Sequence, residues 1–307
     1  MSSILVTGSE GLIGTELRRQ LADYGCDTHR FDLRYTHARR RGADVCHLDE
    51  LRAHTQGVSG VVHLAAVSRV ILGERNPQKC WETNVVGTRN VLEAAAESPH
   101  PPWVIMASSR EVYGQPADLP ASEDCPLNPV NIYGRSKMEG ERLVQGARES
   151  GLRTAVVRFS NVYGSVDDHP DRVVPAFARA VATKAPMRVD GADHTFDFCH
   201  VSDAVRGLLD IIELMRVGSA TVPPIHLTTG RPITLLQLAK LANHFGGDAS
   251  MIVEGPPRNF DVAHFVGNSS RARDLLGWRA ATTLEDGLGR LVADFQEWLS
   301  APDRATV

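Results

Sequence analysis

Apolar and polar positions alternate in blocks through the first half of the chain. The apolar run at 4–7 ends at Gly8, and the segment 12–24 that follows has its apolar residues at helical spacing. The same alternation recurs as far as the apolar run at 153–159. Strands that are apolar along their whole length are typical of a parallel sheet covered by helices on both faces. The pattern therefore predicts an α/β fold with a doubly wound parallel sheet.

The same periodicity predicts elements along the whole chain. The predicted strands cover residues 4–7, 26–31, 58–64, 103–107, 153–159, 187–189 and 225–227. The predicted helices cover residues 12–24, 84–96, 132–147, 173–183, 201–215, 232–245 and 284–299. A polar, turn-forming break at 167–171 marks a change of texture. We predict a first domain over residues 1–165, to which elements near 201–228 return, and a smaller mixed α/β domain over residues 166–307.

Composition narrows the classes of protein that the chain can represent. A length of 307 residues with 42% hydrophobic content is enough for one large or two smaller packed domains. The formal charge of −4 gives no support for nucleic acid or a membrane as partner, and no apolar stretch approaches the roughly 20 residues of a membrane span. Five scattered cysteines fit neither a disulfide framework nor a metal site. We predict a soluble, cytoplasmic protein that binds no metal.

A glycine-rich loop lies where the first predicted strand meets the first predicted helix. Gly8 permits a tight turn, Gly11 lets the backbone approach a pyrophosphate, and Gly14 lets helix and strand pack closely. The free N–H groups at the start of the helix then face the phosphates. This placement predicts a Rossmann-type sheet that binds a dinucleotide.

Two carboxylates follow at the expected edge of this sheet. Asp32 ends the second predicted strand, where a carboxylate binds the ribose hydroxyls of the adenosine. Because a carboxylate repels a 2′-phosphate, NAD is favoured over NADP, although Arg34 and the arginine run at 39–41 leave NADP open. Asp44 either accepts a hydrogen bond from the adenine amine or caps a loop.

Tyr133 and Lys137 are four residues apart in a predicted helix, so their side chains share one face. A free tyrosine has a pKa of about 10 and is a poor base at neutral pH. A lysine charge, in a partly desolvated site that also holds a cationic cofactor ring, favours the phenolate. Tyr133 can then take a proton from a hydroxyl group while a hydride leaves the same carbon. Without the glycine loop, such a pair would be an ordinary surface pair.

Together these features resemble the extended short-chain dehydrogenase/reductases, and more narrowly the NAD-dependent nucleotide-sugar epimerase/dehydratase family. The resemblance covers nearly the whole chain, and it extends to five further segments. These segments are His63-Leu64-Ala65-Ala66, Asn84-Val85-Val86-Gly87-Thr88, Ser108-Ser109-Arg110-Glu111-Val112-Tyr113-Gly114, Arg158-Phe159-Ser160-Asn161-Val162-Tyr163-Gly164 and Leu275-Leu276-Gly277-Trp278.

The resemblance implies a role for each matching residue. Tyr133 would be the base at the sugar hydroxyl, Lys137 would hold the nicotinamide ribose and lower the Tyr133 pKa, and Ser109 would hydrogen-bond the same oxygen. The residues implied in binding NAD are Gly8, Gly11, Leu12, Ile13, Gly14, Asp32, Asp44, Val45, Leu64, Ala65, Ala66, Asn84, Tyr133 and Lys137. The residues implied in binding a nucleotide-diphosphate sugar are Ser68, Ser109, Asn161, Val174 and Arg258.

The resemblance also implies how the chain is organised around this site. The smaller domain would bind the substrate, and Arg258 would clamp its pyrophosphate through the bidentate fork of the guanidinium. The helices that contain Asn84 and Tyr133 would form the interface of a homodimer.

Two departures from the family pattern bear on the reaction. Phe196 stands where the family usually has an arginine, so one phosphate-binding cation is absent from its usual place. After Ser109 the chain has Arg110-Glu111, whereas epimerases usually have small residues there, 4,6-dehydratases an Asp-Glu pair and decarboxylases a Ser-Glu pair. Glu111 is placed to remove a proton from C5, but a guanidinium gives up no proton at neutral pH. Arg110 would hold Glu111 ionised, bind a substrate carboxylate or simply shape the strand end.

The catalytic residues implied are thus Tyr133, Lys137, Ser109, Glu111 and Arg110. The favoured interpretation is a nucleotide-sugar 4-epimerase that acts through a transient 4-keto-sugar, with bound NAD as internal hydride carrier. Three alternatives stay open. They are a dehydratase or decarboxylase that uses Glu111 as C5 base, an NAD(P)-dependent sugar reductase or dehydrogenase, and a non-catalytic dinucleotide-binding sensor.

Overall fold

The computed structural model describes residues 3–35, 42–218, 222–258 and 260–301, so the arginine run at 39–41 lies outside the described residues. The strands are β1 (Ile4–Thr7), β2 (Thr28–Phe31), β3 (Gly60–His63), β4 (Trp103–Ser109), β5 (Thr154–Phe159), β6 (Asn161–Tyr163), β7 (Met187–Asp190), β8 (Thr195–His200), β9 (Ile225–Leu227), β10 (Pro232–Thr234) and β11 (Ile252–Gly255). The α-helices are α1 (Leu12–Asp23), α2 (Leu48–Thr55), α3 (Val70–Arg75), α4 (Pro77–Trp81), α5 (Gly87–Ala96), α6 (Ile132–Glu149), α7 (Val173–Ala182), α8 (Val201–Arg216), α9 (Leu235–Phe245), α10 (Ser270–Leu276) and α11 (Leu284–Ser300). A π-helical segment, Glu82–Val86, precedes α5, and a 3₁₀ turn, Arg110–Tyr113, follows β4.

Six parallel strands form the central sheet, in the order β2, β1, β3, β4, β5, β9. Alternate residues of β1 enter two separate cores, because Ile4 and Val6 pack with α1 and α8 whereas Leu5 packs with α2 and α5. The predicted α/β fold with a doubly wound parallel sheet is confirmed. The sheet winds in opposite directions from β1, with β2 on one side and β3 on the other. Ligands bind at the carboxyl ends of the strands at such a point.

A third core lies beyond the central sheet, around β7, β8 and the helices α7, α9 and α11. Strand β8 pairs in parallel with β6 and antiparallel with β10, while β7 pairs in parallel with β11. Two elements from this later part of the chain return to the central sheet. Helix α8 packs against α1, and β9 pairs with β5. The domain limits 1–165 and 166–307 stay a prediction.

Two predicted helices begin later than the sequence pattern indicates. The segment 232–245 starts as β10, an edge strand that tolerates a proline without an N–H donor. Helix α9 begins only after Thr234, whose side chain forms a capping box with Gln237. In the segment 84–96, Asn84 lies in the π-helical segment, and α5 begins at Gly87.

Several short elements escape the sequence pattern. Strand β8 is the most important of them, because it contributes Phe196 and Phe198 to the candidate site. Asp197 interrupts the apolar run of this strand, so the sequence pattern does not predict it. In the structure Asp197 is buried, and its carboxylate accepts hydrogen bonds from the N–H groups of Thr229 (2.9 Å) and Gly230 (2.6 Å).

None of the helices in the described ranges is long and apolar enough to cross a membrane. All five cysteines are described, and no two of them form a disulfide. The cytoplasmic location stays a prediction.

Candidate active site

The candidate site is a cleft at the carboxyl ends of β1, β3, β4 and β5. One wall is the glycine loop with the start of α1, and the opposite wall comes from α7, β8 and the chain after β11. Most of the predicted site residues meet in this cleft. They are Gly8, Gly11, Leu12, Ile13, Gly14, Leu64, Ala66, Ser68, Ser109, Arg110, Glu111, Tyr133, Lys137, Asn161, Val174 and Arg258.

The glycine loop is a tight turn in which two of the three glycines leave no space for a side chain. Gly8 has a φ of +70°, and a Cβ there would lie 2.6 Å from the backbone nitrogen of Ala65. A Cβ on Gly14 would overlap the carbonyl oxygen of Gly8. Gly11 precedes α1 without a side-chain cap, so the first N–H groups of the helix are left for a ligand. This cradle fits a pyrophosphate.

Asp32 is buried at the end of β2, next to the glycine loop. Its carboxylate accepts hydrogen bonds from the N–H groups of Glu10 (3.0 Å) and Arg34 (2.9 Å). The Arg34 guanidinium lies 3.6 Å from the same carboxylate. The cradle and the fixed carboxylate together fit NAD better than NADP.

Four other residues predicted to bind the cofactor have partners within the protein. Val45 is buried in the core against Gly87, because its side chain is apolar. Asp44 accepts a 2.9 Å hydrogen bond from the N–H of Cys46, the loop-capping role. Ala65 donates its N–H to the Thr7 hydroxyl (3.3 Å). Cofactor contacts from these residues stay predictions.

Asn84, the fourth of these residues, connects two segments that border the cleft. Its amide oxygen accepts from the N–H of Val67 (2.8 Å), and its amide nitrogen donates to the Ser136 hydroxyl (2.9 Å). Ser136 lies in α6 between Tyr133 and Lys137, so Asn84 links the π-helical segment to α6.

Tyr133 and Lys137 are buried near the start of α6, and both line the cleft. The Lys137 ammonium donates to the carbonyl oxygen of Ala107 in β4 (2.9 Å), which fixes it beside the strand that carries Ser109. The Ser109 side chain is close enough to Tyr133 to act on the pKa of its phenol. The structure therefore brings the three residues together as the sequence predicts.

Burial dominates the ionisation of this pair. It raises the pKa of Tyr133 to about 12, while Ser109 and the charge of Arg172 act in the opposite direction. Burial also lowers the pKa of Lys137 to about 8. The expectation that Lys137 lowers the Tyr133 pKa is thus not met by the protein alone, since desolvation outweighs the nearby charges. A bound, oxidised nicotinamide ring would add a further positive charge that favours the phenolate.

Arg110 and Glu111 form a buried ion pair next to Ser109. Arg110 Nη2 lies 3.0 Å from Glu111 Oε1, and the two residues are 8% and 5% exposed. The second carboxylate oxygen, Oε2, accepts a 2.7 Å hydrogen bond from the Asn131 amide. Both oxygens of Glu111 are therefore engaged by protein groups.

Three further arginines line the cleft, each paired with a carboxylate. Arg69 pairs with Asp171, Arg172 lies 3.5 Å from Asp168, and Arg258 donates to Asp261 (2.7 Å). Arg172 also donates to the hydroxyl of Ser68 (3.1 Å). Cations are thus available for a diphosphate even though position 196 holds phenylalanine.

Sequence analysis does not single out Arg69 or Arg172. Arg69 directly follows Ser68, which the sequence does predict, and Arg172 is the residue before α7. A cation placed directly before an apolar helix that faces a predicted cleft is the feature that points to Arg172.

Comparison of the chain with known proteins shows a family that accounts for a dinucleotide cradle beside a buried tyrosine, lysine and serine. Residues 4–221 match the NAD dependent epimerase/dehydratase family. The chain belongs to this family. Membership confirms the resemblance stated from the sequence, the enzyme class and NAD as the cofactor.

Relatives of the chain catalyse more than one reaction. UDP-glucuronic acid decarboxylase 1 of Arabidopsis thaliana is 30% identical over 95% of this chain and 69% of that protein. The solved structure of MoeE5 in complex with UDP-glucuronic acid and NAD is 28% identical, with a TM-score of 0.87 over 97% of this chain and 100% of that one. The structure of UDP-glucose 4-epimerase with UDP-glucose from Thermotoga maritima is 27% identical, with a TM-score of 0.87 over 97% and 99% of the two chains.

Proposed function

We propose that the chain is a nucleotide-sugar 4-epimerase. The observation that carries this proposal is the state of Glu111, whose two carboxylate oxygens are held by Arg110 and Asn131. Each carboxylate oxygen has two lone pairs, so a carboxylate held by two protein groups can receive the C5 proton only from the directions that those groups leave open. With Tyr133 as the base, the chemistry supported best is removal and return of a hydride at one carbon.

The residues around the reacting carbon have separate roles in the proposed reaction. Tyr133 takes the proton of the C4 hydroxyl, and the Ser109 hydroxyl donates a hydrogen bond to the oxygen as it becomes a carbonyl. Lys137, buried and held by Ala107, keeps a positive charge beside this oxygen. NAD, when bound in the cradle, supplies the acceptor and donor of the hydride. Rotation of the keto-sugar before the hydride returns inverts C4.

Arg110 argues against loss of water. Dehydration of the sugar requires an acid at the leaving hydroxyl, and Arg110 stands in the position that follows Ser109. A guanidinium keeps its protons at neutral pH, so it serves as a charge and not as an acid. Epimerisation needs no such acid.

The substrate that we infer is a UDP-sugar. The relatives reported above act on or bind UDP-sugars. In this chain Arg172 and Arg258 supply cations, and Asn161 supplies an amide, on the substrate side of the cleft. These groups suit the two phosphates of a nucleoside diphosphate.

We also propose that two copies pair through α5 and α6. The surface between these helices is a shallow cleft with apolar side chains from Leu92, Leu143 and Ala147. Apolar surface of this kind is stabilised when a second copy covers it. Light scattering of the purified protein at several concentrations tests the pairing, and a monomer at every concentration would reject it.

Product analysis tests the proposed reaction. Purified protein is incubated with UDP-glucose and, separately, with UDP-glucuronic acid, and the products are followed by proton NMR with NAD absorbance in parallel. We expect the 4-epimer of at least one substrate, without net formation of NADH. A 4-keto-6-deoxy-sugar or a pentose as product would replace the proposal with dehydration or decarboxylation, and stoichiometric NADH would replace it with a dehydrogenase.

A further inference from the structure

Arg110 has a donor that the protein does not use. Its side chain is nine-tenths buried, and Nη2 is paired with Glu111. Nη1 is also buried, and it has no hydrogen-bond partner among the residues that the structure describes. A buried guanidinium N–H without an acceptor is unfavourable, and such a group calls for an explanation by strain, water or a ligand.

The surroundings of this donor favour an anionic partner. The guanidinium carbon of Arg110 lies 4.4 Å from the centre of the Phe196 ring and 5.8 Å from that of Phe265. Aromatic walls exclude water, and a charge–charge interaction is stronger where water is excluded. One nitrogen of the planar Arg110 guanidinium is paired with Glu111. The orientation of the other nitrogen is therefore fixed.

The position of Arg110 places this donor near the sugar. Arg110 directly follows Ser109, and Glu111 is close enough to Tyr133 for its charge to act on the pKa of that tyrosine. The other arginines of the cleft, Arg69, Arg172 and Arg258, come from different loops and have carboxylate partners of their own. Cations for the diphosphate are therefore present without Arg110.

We propose that Arg110 is a specificity-determining residue that binds a carboxylate on the sugar ring, so that the preferred substrate is a nucleotide-diphosphate uronic acid. This proposal rests on the nucleotide-sugar function proposed above. Arg110 Nη1 donates to the substrate carboxylate while Nη2 stays on Glu111, so one guanidinium lies between two carboxylates. The Asn131 amide donates a hydrogen bond to Glu111 and so stabilises the negative charge of that carboxylate.

Binding measurements in a protein that does not turn over separate this proposal from the reaction. The background is Tyr133→Phe saturated with NAD, and the probes are UDP, UDP-glucose and UDP-glucuronic acid, followed by titration calorimetry. We expect UDP-glucuronic acid to bind at least tenfold more tightly than UDP-glucose. In Arg110→Met/Glu111→Gln, which removes both charges and leaves neither buried alone, the ratio of the two dissociation constants falls to about one.

Two further variants keep the result interpretable. Arg110→Lys retains the ion pair with Glu111 but lacks a second nitrogen, so it lowers the ratio at least threefold even if the double variant fails to fold. Arg258→Met is the matched control, because loss of a diphosphate ligand weakens all three probes alike and leaves the ratio unchanged.

Three results would overturn the proposal. One is equal affinity for UDP-glucose and UDP-glucuronic acid before Arg110 is changed, and another is a ratio that survives the loss of Arg110. The third is that changing Arg110 weakens the binding of UDP as much as that of UDP-glucuronic acid, which would make Arg110 a diphosphate ligand. If the preference holds but no 4-epimer forms in the product analysis, the proposed reaction fails while the role of Arg110 stands.

Discussion

Asn131 joins Glu111 to the first turn of the helix that carries Tyr133. Its amide nitrogen donates to Glu111 Oε2 (2.7 Å), and its amide oxygen accepts from the N–H of Gly134 (2.8 Å) as the cap of α6. One buried side chain thus holds the Glu111 carboxylate and caps the start of α6. The two roles can be separated by substitution.

Asn131→Ala removes both contacts, and Asn131→Asp keeps the cap but loses the donor to Glu111. We expect Asn131→Ala to lower the free energy of unfolding by about 1–2 kcal/mol, the usual effect of a lost N-cap. Asn131→Asp is also destabilised at neutral pH, because two carboxylates then face each other, and part of the loss is recovered on acidification. Urea denaturation at pH 7 and pH 5 measures both. Unchanged stability of Asn131→Ala would show that the cap contributes nothing.

Tyr133→Phe removes the proposed base and little else. Loss of a positioned base costs about 10²–10⁴-fold in turnover, so we expect a fall of at least a hundredfold in kcat. Bound NAD should be retained, because the cradle of Gly8 and Gly14 is unchanged. Steady-state assay and cofactor titration measure the two quantities. Full activity, or loss of NAD binding, would remove Tyr133 from the role of base.

The glycine loop allows a matched pair of substitutions. Gly8→Ala meets a positive φ and the backbone of Ala65, so we expect a loss of about 1–3 kcal/mol in stability. Gly11→Ala adds a Cβ whose nearest neighbour, the Gly8 carbonyl oxygen, is 3.3 Å away, so the chain still folds. That methyl group stands where phosphates approach the backbone, and NAD affinity falls at least tenfold. Denaturation without NAD, followed by NAD titration, separates the two effects, and unchanged NAD affinity in Gly11→Ala would contradict this placement.

Lys137 makes stability depend on pH in a defined window. Burial lowers its pKa in the folded protein to about 8 from an ordinary value of 10.5. Below pH 8 the lysine is charged in both states, so the fold carries the full desolvation cost, of about 3 kcal/mol. Between pH 8 and 10.5 the unfolded chain binds more protons, and the contribution of Lys137 to stability rises with pH.

Lys137→Met removes this dependence. We expect the variant to be more stable than the parent at pH 7 and the difference to shrink as the pH rises from 8 toward 10.5. Urea denaturation of both proteins at pH 7, 8.5 and 9.5 measures it. A difference that is constant over this range, or that grows with pH, would show that the lysine is not desolvated in the folded state.

The parallel sheet and the centre of the site could be predicted from the sequence because both depend on local patterns. The strand at 225–227 and the helix at 201–215 lie close to the observed β9 and α8, since their apolar residues repeat at the right spacing. Tyr133 and Lys137 share a helix face, so their proximity follows from their spacing.

Contacts between distant segments could not be predicted in this way. Nothing in the sequence shows that Arg110 packs on Phe196, because β8 is hidden by Asp197 and Arg110 lies in the turn after β4, a strand of another sheet. The engagement of Glu111 by Asn131 depends on the loop before α6. The pKa of Tyr133 is raised because the residue is buried, and the spacing of residues along the sequence carries no information about burial.

Turnover in deuterated water tests the assignment as a 4-epimerase most directly. UDP-glucose and UDP-glucuronic acid are each converted by the unmutated protein, and the carbon-bound hydrogens of substrate and product are measured by NMR and mass spectrometry. We predict a 4-epimer that carries no solvent deuterium on carbon, because the hydride returns from NAD and the Glu111 carboxylate is held on both oxygens by Arg110 and Asn131. Deuterium at C5 would show that Glu111 or another base removes that proton, and would contradict simple 4-epimerisation.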